Sequence, residues 1–399
     1  MNRIVVIGCN TGLSETALDR IKKCRTVFSA KRFQRFAPGQ IPWFSLSPVD
    51  AAVTAMEARL RQGDVAVLVG GDPLFFGIGR RLVTTFGAER LEILPDLAAV
   101  QLLCARFAVP WDDARFLSLH GRPLGQAAAT LLMGDKTVVL TDRTNTPATV
   151  ARAMLQRLTD CGCTDLADGY TIMVGEELGL PAERLSRGTL QETAGRAYAP
   201  LNLMLALRTS GKRPHTLFPG EQEIRHSRGL ITKDEVRAVV LQQLDLPERG
   251  VLWDVGAGSG SVGLSAASLC PDSTVYAVEQ QQEEIANIRA NIRGYRSFNL
   301  MPVPGRAPEV LSRLPDPDRV FIGGSNGALA EIMAACQKRL PVGGVMVVNA
   351  VLATTRDSAL TFMTSHNMAP SAGIITVQRL CGATRTKMNT ITVITGRKK

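Results

Sequence analysis

The sequence predicts an α/β protein in two parts, and three observations carry that prediction. At 399 residues the chain exceeds the ~100–200 residues that one hydrophobic core usually organises. Short apolar runs alternate with amphipathic helical patterns through both halves. Between the halves, Thr209–Arg228 is a polar stretch containing Pro and Gly, with no periodicity and with four basic and two acidic residues. It reads as a linker. The expected division is a first domain over 1–208, a linker over 209–228 and a second domain over 229–399.

In the first domain, apolar runs predict strands at Ile4–Ile7, Val65–Val69, Leu91–Leu94 and Thr137–Leu140, with helices at Val49–Arg61 and Pro147–Leu158. From Tyr170 the pattern turns to strands with little helix: Tyr170–Val174, Arg184–Thr189 and Leu201–Leu207. After the linker, Thr232 ahead of Glu235 has the spacing of a capping box and predicts a helix to about Leu244. Strands at Val251–Val255, Thr274–Val278, Val320–Ile322 and Val345–Asn349 then alternate with helices at Val262–Leu269, Glu283–Ile292 and Leu329–Lys338. Ile374–Arg379 and Asn389–Thr395 read as two strands closing the sheet.

Composition excludes several classes. Hydrophobic residues make up 45% and charged residues 21%, the balance of a globular protein and not of a disordered one. No uncharged run is apolar over the ~18 residues of a membrane span, and Met1-Asn2-Arg3 leads straight into an apolar strand with no signal-type h-region. A cytoplasmic protein without a membrane partner is expected. The eight cysteines form no CxxC pair and the four histidines lie far apart, so neither a disulfide framework nor a metal site is expected. The net charge of +10 is spread over both halves: residues 1–210 hold 24 basic and 20 acidic residues, and 211–399 hold 22 and 16. Such a field attracts nucleic acid or a small polyanion.

The strongest local signal is Val251-Leu252-Trp253-Asp254-Val255-Gly256-Ala257-Gly258-Ser259-Gly260, a strand running into a glycine loop. Glycines there allow close approach of a ligand, and the following helix presents its N-terminus. Glu279, at the end of the next strand, is placed to accept hydrogen bonds from a ribose diol. The spacing is GxGxG, with Ser261 where a dinucleotide fingerprint has its third glycine, and Gln280-Gln281-Gln282 offers no arginine for a 2′-phosphate. The set resembles the S-adenosylmethionine (SAM) loop of class I methyltransferases. The loop after the fourth strand, Phe321-Ile322-Gly323-Gly324-Ser325-Asn326-Gly327, lacks the Pro-Pro-aromatic clamp for a flipped-out base.

In the first half, Gly70-Gly71-Asp72-Pro73-Leu74-Phe75-Phe76-Gly77 follows a strand, with Pro73 in position to open a helix. Ser118-Leu119-His120-Gly121-Arg122-Pro123 follows another, Pro95-Asp96-Leu97-Ala98-Ala99 opens a helix, and Pro200-Leu201-Asn202-Leu203 begins the last strand. This constellation resembles the class III tetrapyrrole methylases, in particular the branch that methylates carbon 5 of a precorrin. The second half, with Gly229-Leu230-Ile231-Thr232-Lys233, the GxGxG loop, Gly305-Arg306-Ala307-Pro308-Glu309 and Gly323-Gly324-Ser325, resembles the decarboxylating precorrin methylases acting on carbon 15.

The resemblance implies a two-lobed class III domain followed by a class I Rossmann-like methyltransferase, as in the fused C5,15 precorrin methylases of cobalamin biosynthesis. It implies two SAM sites, with Gly70, Gly71, Asp72, Leu74, Phe75, Ala98 and Leu203 at the first. Thr232, Gly256, Ala257, Gly258, Ser259, Gly260, Glu279 and Ala307 fall at the second. Two stretches depart from the family pattern: Gly8-Cys9-Asn10-Thr11-Gly12 for a glycine-rich first loop, and Pro95-Asp96-Leu97-Ala98-Ala99 for a hydroxyl-bearing one. The substrate implied is a polycarboxylate tetrapyrrole, for which Arg122 and Arg306 are candidate carboxylate partners and His120 the candidate acid or base. Self-association through the first half is expected and nucleic acid is not. The competing readings are an RNA methyltransferase fusion, since related folds act on RNA, and a chain in which one half only binds SAM as a scaffold.

Overall fold

Ile4–Ile7 and Val65–Val69 show no polar alternation, the pattern of strands covered on both faces, and they lie side by side at the centre of the first sheet. The computed structural model describes residues 2–119, 124–211, 218–227, 229, 231–381 and 384–399. The chain opens with β1 (Ile4–Gly8), α1 (Glu15–Lys22), β2 (Thr26–Ser29), β3 (Trp43–Ser45), α2 (Val49–Leu60) and β4 (Val65–Val69). It continues through α3 (Gly79–Phe86), β5 (Leu91–Leu94) and α4 (Ala99–Phe107). The five strands form a parallel sheet in the order β3-β2-β4-β1-β5.

A second lobe follows, with β6 (Arg115–Ser118), α5 (Ala127–Met133), β7 (Lys136–Leu140), α6 (Pro147–Asp160), β8 (Tyr170–Glu176), β9 (Arg184–Gly188), α7 (Leu190–Ala194) and β10 (Asn202–Arg208). Its sheet runs β6-β7-β10-β8-β9. The β6–β7 pair is parallel and the rest antiparallel. Thr146 caps α6 by accepting from the Thr149 amide at 3.2 Å, with Pro147 in the first turn.

The second half contains α8 (Asp234–Leu244), β11 (Val251–Val255), α9 (Ser261–Leu269), β12 (Thr274–Glu279), α10 (Gln282–Tyr295), β13 (Leu300–Pro304), β14 (Arg319–Ile322), α11 (Leu329–Arg339), β15 (Val345–Ala350) and α12 (Ala353–Ser365). β16 (Ser371–Ile375), β17 (Gln378–Cys381), β18 (Thr384–Lys387) and β19 (Ile391–Arg397) complete it. Seven strands are ordered β13-β12-β11-β14-β15-β19-β16. The first five are parallel, and β19 enters antiparallel between β15 and β16.

Three local expectations are corrected. α8 begins at Asp234 with Lys233 as N-cap and no side-chain cap, because Glu235 points instead to Arg379, which donates to both its oxygens at 2.8 Å. That guanidinium holds the Glu235 carboxyl down at about 2. Pro73 does not open a helix: Asp72 Oδ1 accepts from the Leu74 amide at 2.8 Å, Phe76 is left-handed at φ 51°, and α3 starts only at Gly79. The expected strand Ile374–Arg379 is two elements, since β16 ends at Ile375 and β17 leaves the sheet to pair with β18 as a separate hairpin.

The halves share a core. Leu158 and Cys161 at the end of α6 belong to one buried apolar cluster with Ile288 and Ile292 of α10, Phe298 and Leu300. Arg296, 5% exposed, donates to the Tyr170 hydroxyl at 2.7 Å, and that hydroxyl donates to Leu132 O at 2.6 Å. Arg293 pairs with Asp165 nearby. Residues beyond the linker's midpoint pack on α10: the Asn291 amide group accepts from the Arg225 amide and donates to its carbonyl, at 2.8 and 2.9 Å.

Candidate functional site

Two cavities of almost equal size lie at the loop ends of these sheets. The one in the second half, about 800 Å³, sits where β11, β12, β14 and β15 end, the edge at which open α/β sheets bind ligands. The glycine positions of the loop that borders it are closed to side chains by backbone conformation. Gly256, Gly258 and Gly260 all have left-handed φ, of 65°, 54° and 74°. A Cβ on Gly256 would stand 2.2 Å from Gly324 O, so the loops after β11 and β14 cross backbone to backbone.

The loop is tied to the next strand by charge. Glu279 Oε2 accepts from the Gly258 amide at 2.9 Å, and Oε1 accepts from Gln280 and Gln281 at 2.8 and 2.9 Å. A carboxylate held this way on the cavity wall keeps lone pairs for a diol. Behind it, Asp254 is completely buried and its Oδ2 accepts from the Gly263 amide at 2.8 Å. Burial pushes the Asp254 carboxyl up to about 7, against the Gly263 hydrogen bond and with a smaller push from Glu279. α9 packs tightly enough that a Cβ on Gly263 would meet that same Oδ2 at 2.8 Å.

Thr232, Gly256, Ala257, Gly258, Glu279, Arg306 and Ala307 all line this cavity. Ser259 and Gly260 do not line it: Ser259 is 1% exposed with its carbonyl bonded by Asn291, and Gly260 is the N-cap residue of α9. Sequence reasoning missed Lys233, Asn326, Asn349, Lys387, Met388 and Asn389 on the same wall. The last three arrive from the β17–β18 hairpin, over a hundred residues from the glycine loop in sequence, where no local pattern marks them.

The first-half cavity, about 820 Å³, is the cleft between the two lobes. Gly70, Leu74 and Leu203 line it, whereas Gly71, Asp72, Phe75 and Ala98 are not among its lining residues. Gly71 is left-handed at φ 65°, and a Cβ on it would stand 2.8 Å from Ala98 Cα. Phe75 packs edge-on against Phe116 at 5.1 Å. The departures from the family pattern have substitutes. Gln101 Oε1 accepts from the Ala98 amide at 2.8 Å, and Asp96 accepts from the Thr11 amide and hydroxyl at 2.7 and 2.6 Å. His120 and Arg122 lie outside the described residues.

Cys9 is no nucleophile for this cleft: its thiol donates to Val69 O at 3.1 Å and burial pushes it up to about 12. Among the described residues no group of His, Cys, Asp or Glu is placed to hold a metal, and no helix is long and apolar enough to cross a membrane.

The model of the tetrapyrrole (corrin/porphyrin) methylases matches residues 5–194, and that of the precorrin methyltransferase domain matches 223–380. A Sinorhizobium protein named precorrin-6Y C(5,15)-methyltransferase [decarboxylating] is 31% identical over 367 residues, 89% of this chain and 84% of its own length. This chain belongs to that family. Its fold is accordingly a tetrapyrrole methylase domain followed by a precorrin methyltransferase domain, and membership implies use of SAM. Two shorter relatives match parts of it. A Salmonella typhimurium cobalt-precorrin-7 C(5)-methyltransferase is 35% identical over 36% of this chain and 66% of its own. A Saccharolobus solfataricus probable cobalt-precorrin-6B C(15)-methyltransferase (decarboxylating) is 32% identical over 38% and 74%.

Proposed function

We propose that this enzyme methylates a precorrin macrocycle at C5 in the first-half cleft, and at C15 in the second-half cavity, where the ring C acetate is also lost as carbon dioxide. Each cavity holds its own SAM. The observation that carries this reading is the presence of two separate glycine-bordered cavities in a chain that matches the fused family along 89% of its length. The two reactions also occur as the named activities of separate, shorter relatives.

Bound SAM supplies a methyl group already activated on a sulfonium, so the protein's task is alignment and not covalent activation. In the second cavity Glu279 and the closely approaching backbone of the glycine loop would hold the nucleoside, with Thr232 and Ala307 in the same lining. In the first, the Gly70 turn and Leu203 do so from opposite lobes. The electron pair comes from the enamine-like macrocycle itself, which explains why neither site needs a thiolate. Lys233, Arg306 and Lys387 around the second cavity pair with ring carboxylates. After C15 is methylated, the electron pair of the acetate's C–CO₂ bond flows into the conjugated iminium system as carbon dioxide leaves, a step favoured when that carboxylate is desolvated.

Incubation of the full chain with precorrin-6B and methyl-labelled SAM tests this. The product should gain two labelled methyl groups and lose one carboxyl by mass spectrometry. An unaltered mass, or one methyl only, overturns it.

A further inference from the structure

Three arginines line the first-half cleft and have no role in the account above. Arg32 and Arg35 stand on the 3-10 helix Lys31–Phe36 that follows β2, and Arg80 lies in the first turn of α3. β2 neighbours β4 in the sheet, so the short helix emerges beside the Gly70–Gly77 loop, and α3 bounds that loop at its other end. The guanidinium of Arg32 reaches the loop itself, with Nη2 3.6 Å from where a Gly70 Cβ would be. Arg32 and Arg35 are steadied over the rings of Phe33 and Phe36, at 4.7 and 4.8 Å.

Among the described residues none of the three has a carboxylate within ion-pair distance. The next residue along, Arg81, does: it pairs with Asp50 at 2.7 Å. The described wall of the cleft carries one carboxylate, Glu177, against these three cations. The facing lobe is mostly apolar, with Leu140, Leu178, Leu180, Pro181, Leu201 and Leu203 beside Ser118, Thr141, Asn202 and that same Glu177. A cationic wall opposite a mostly apolar one suits a flat ligand with greasy faces and an acidic rim.

We infer that Arg32, Arg35 and Arg80 form the carboxylate-reading wall of this cleft, gripping the acidic rim of the tetrapyrrole while its face lies on the leucines of the second lobe. Guanidinium groups suit the task because each can take a carboxylate with two parallel hydrogen bonds. The inference rests on the proposed function for the identity of the ligand, and the charge asymmetry itself is a property of the cleft.

The test uses the full chain and its R80A and R35A/R80A variants. Both residues are exposed, and calorimetry with S-adenosylhomocysteine checks that the donor site is intact. Rates with precorrin-6B are measured with the C5 and C15 methyl groups resolved by fragment mass. The double variant should raise KM for C5 methylation about tenfold with kcat within twofold, while C15 methylation serves as the internal reference. R35K/R80K should recover part of the loss, and the salt dependence of KM should flatten. A C5 KM within twofold of the unaltered chain overturns the inference, as does a fall in kcat at constant KM. In parallel, fluorescence titration uses uroporphyrin, a porphyrin with eight carboxylates. If no methyl transfer occurs but uroporphyrin binding weakens in the double variant, the functional reading fails and the arginine wall stands; unchanged uroporphyrin binding removes the wall.

Discussion

The second-half cavity offers its ligand a carboxylate tied to a glycine loop, beside Lys233, Arg306 and Lys387, whereas the first-half cleft offers on one wall three guanidinium groups with no carboxylate partner among the described residues, and mostly leucines on the other. The volumes are nearly the same, about 800 and 820 Å³, so size does not distinguish them. Their construction does. In the second half one sheet edge gathers loops from four neighbouring strands, and a left-handed glycine run is braced by Glu279, with Asp254 bonded to α9 behind it. In the first half two lobes face each other, and the turn after β4 is braced by close backbone approach between Gly71 and Ala98, with Asp96 as a half-buried tie. The sheet edge brings its wall from one sheet's loops and a distant hairpin, whereas the cleft takes its two walls from two lobes.

The largest test of that contrast is a pair of matched substitutions. Gly256→Ala places a Cβ 2.2 Å from Gly324 O at a left-handed residue, and Gly71→Ala places one 2.8 Å from Ala98 Cα, also left-handed. Each should cost about 3 kcal/mol locally. Each should remove one of two S-adenosylhomocysteine sites seen by calorimetry and leave the other intact. If either variant loses both sites the cavities are not independent, and if it loses neither the substituted glycine does not border a donor site.

A smaller effect sharpens the difference in recognition. Glu279→Gln turns one carboxylate oxygen into a donor facing backbone amides that already donate. Binding at the second site should weaken by ~10- to 100-fold, with the first site unmoved. An unchanged isotherm would remove Glu279 from ligand binding.

The last effect is one of pH. The unfolded chain ionises Asp254 near its ordinary value of 3.8, while the folded chain keeps the proton to about 7. The native protein therefore loses stability progressively as pH rises between those values. Asp254→Asn keeps an acceptor for the Gly263 amide and carries no such penalty. The melting temperature of the variant relative to the native chain should rise from about pH 4 to about pH 7 and level off above; a constant difference would show that Asp254 ionises normally.

How much of this is legible in the sequence follows the same contrast. The glycine loop and Glu279 lie on adjacent strands about one strand–helix unit apart, so spacing alone brings them together, and the parallel strands are legible because both faces are apolar. Lys387 and Asn389 reach the same cavity only through a hairpin whose position depends on Arg379 pairing with Glu221 and Glu235. That pairing also overrides the expected capping role of Glu235. The arginines of the first cleft are exposed residues, and in a sequence a charge that faces a ligand looks like one that faces water. Pro73 misleads because an Asp72 side-chain turn takes precedence over the helix that a proline can start.

The seam between the halves has a practical corollary. With Arg296 buried against Tyr170 and α6 sharing its apolar contacts with α10, a chain nicked between Gly211 and Phe218 would still migrate as one particle. Neither catalyst could then be diluted away from the other, and a cell producing this polypeptide holds the two reactions at one-to-one dosage whatever its level of expression.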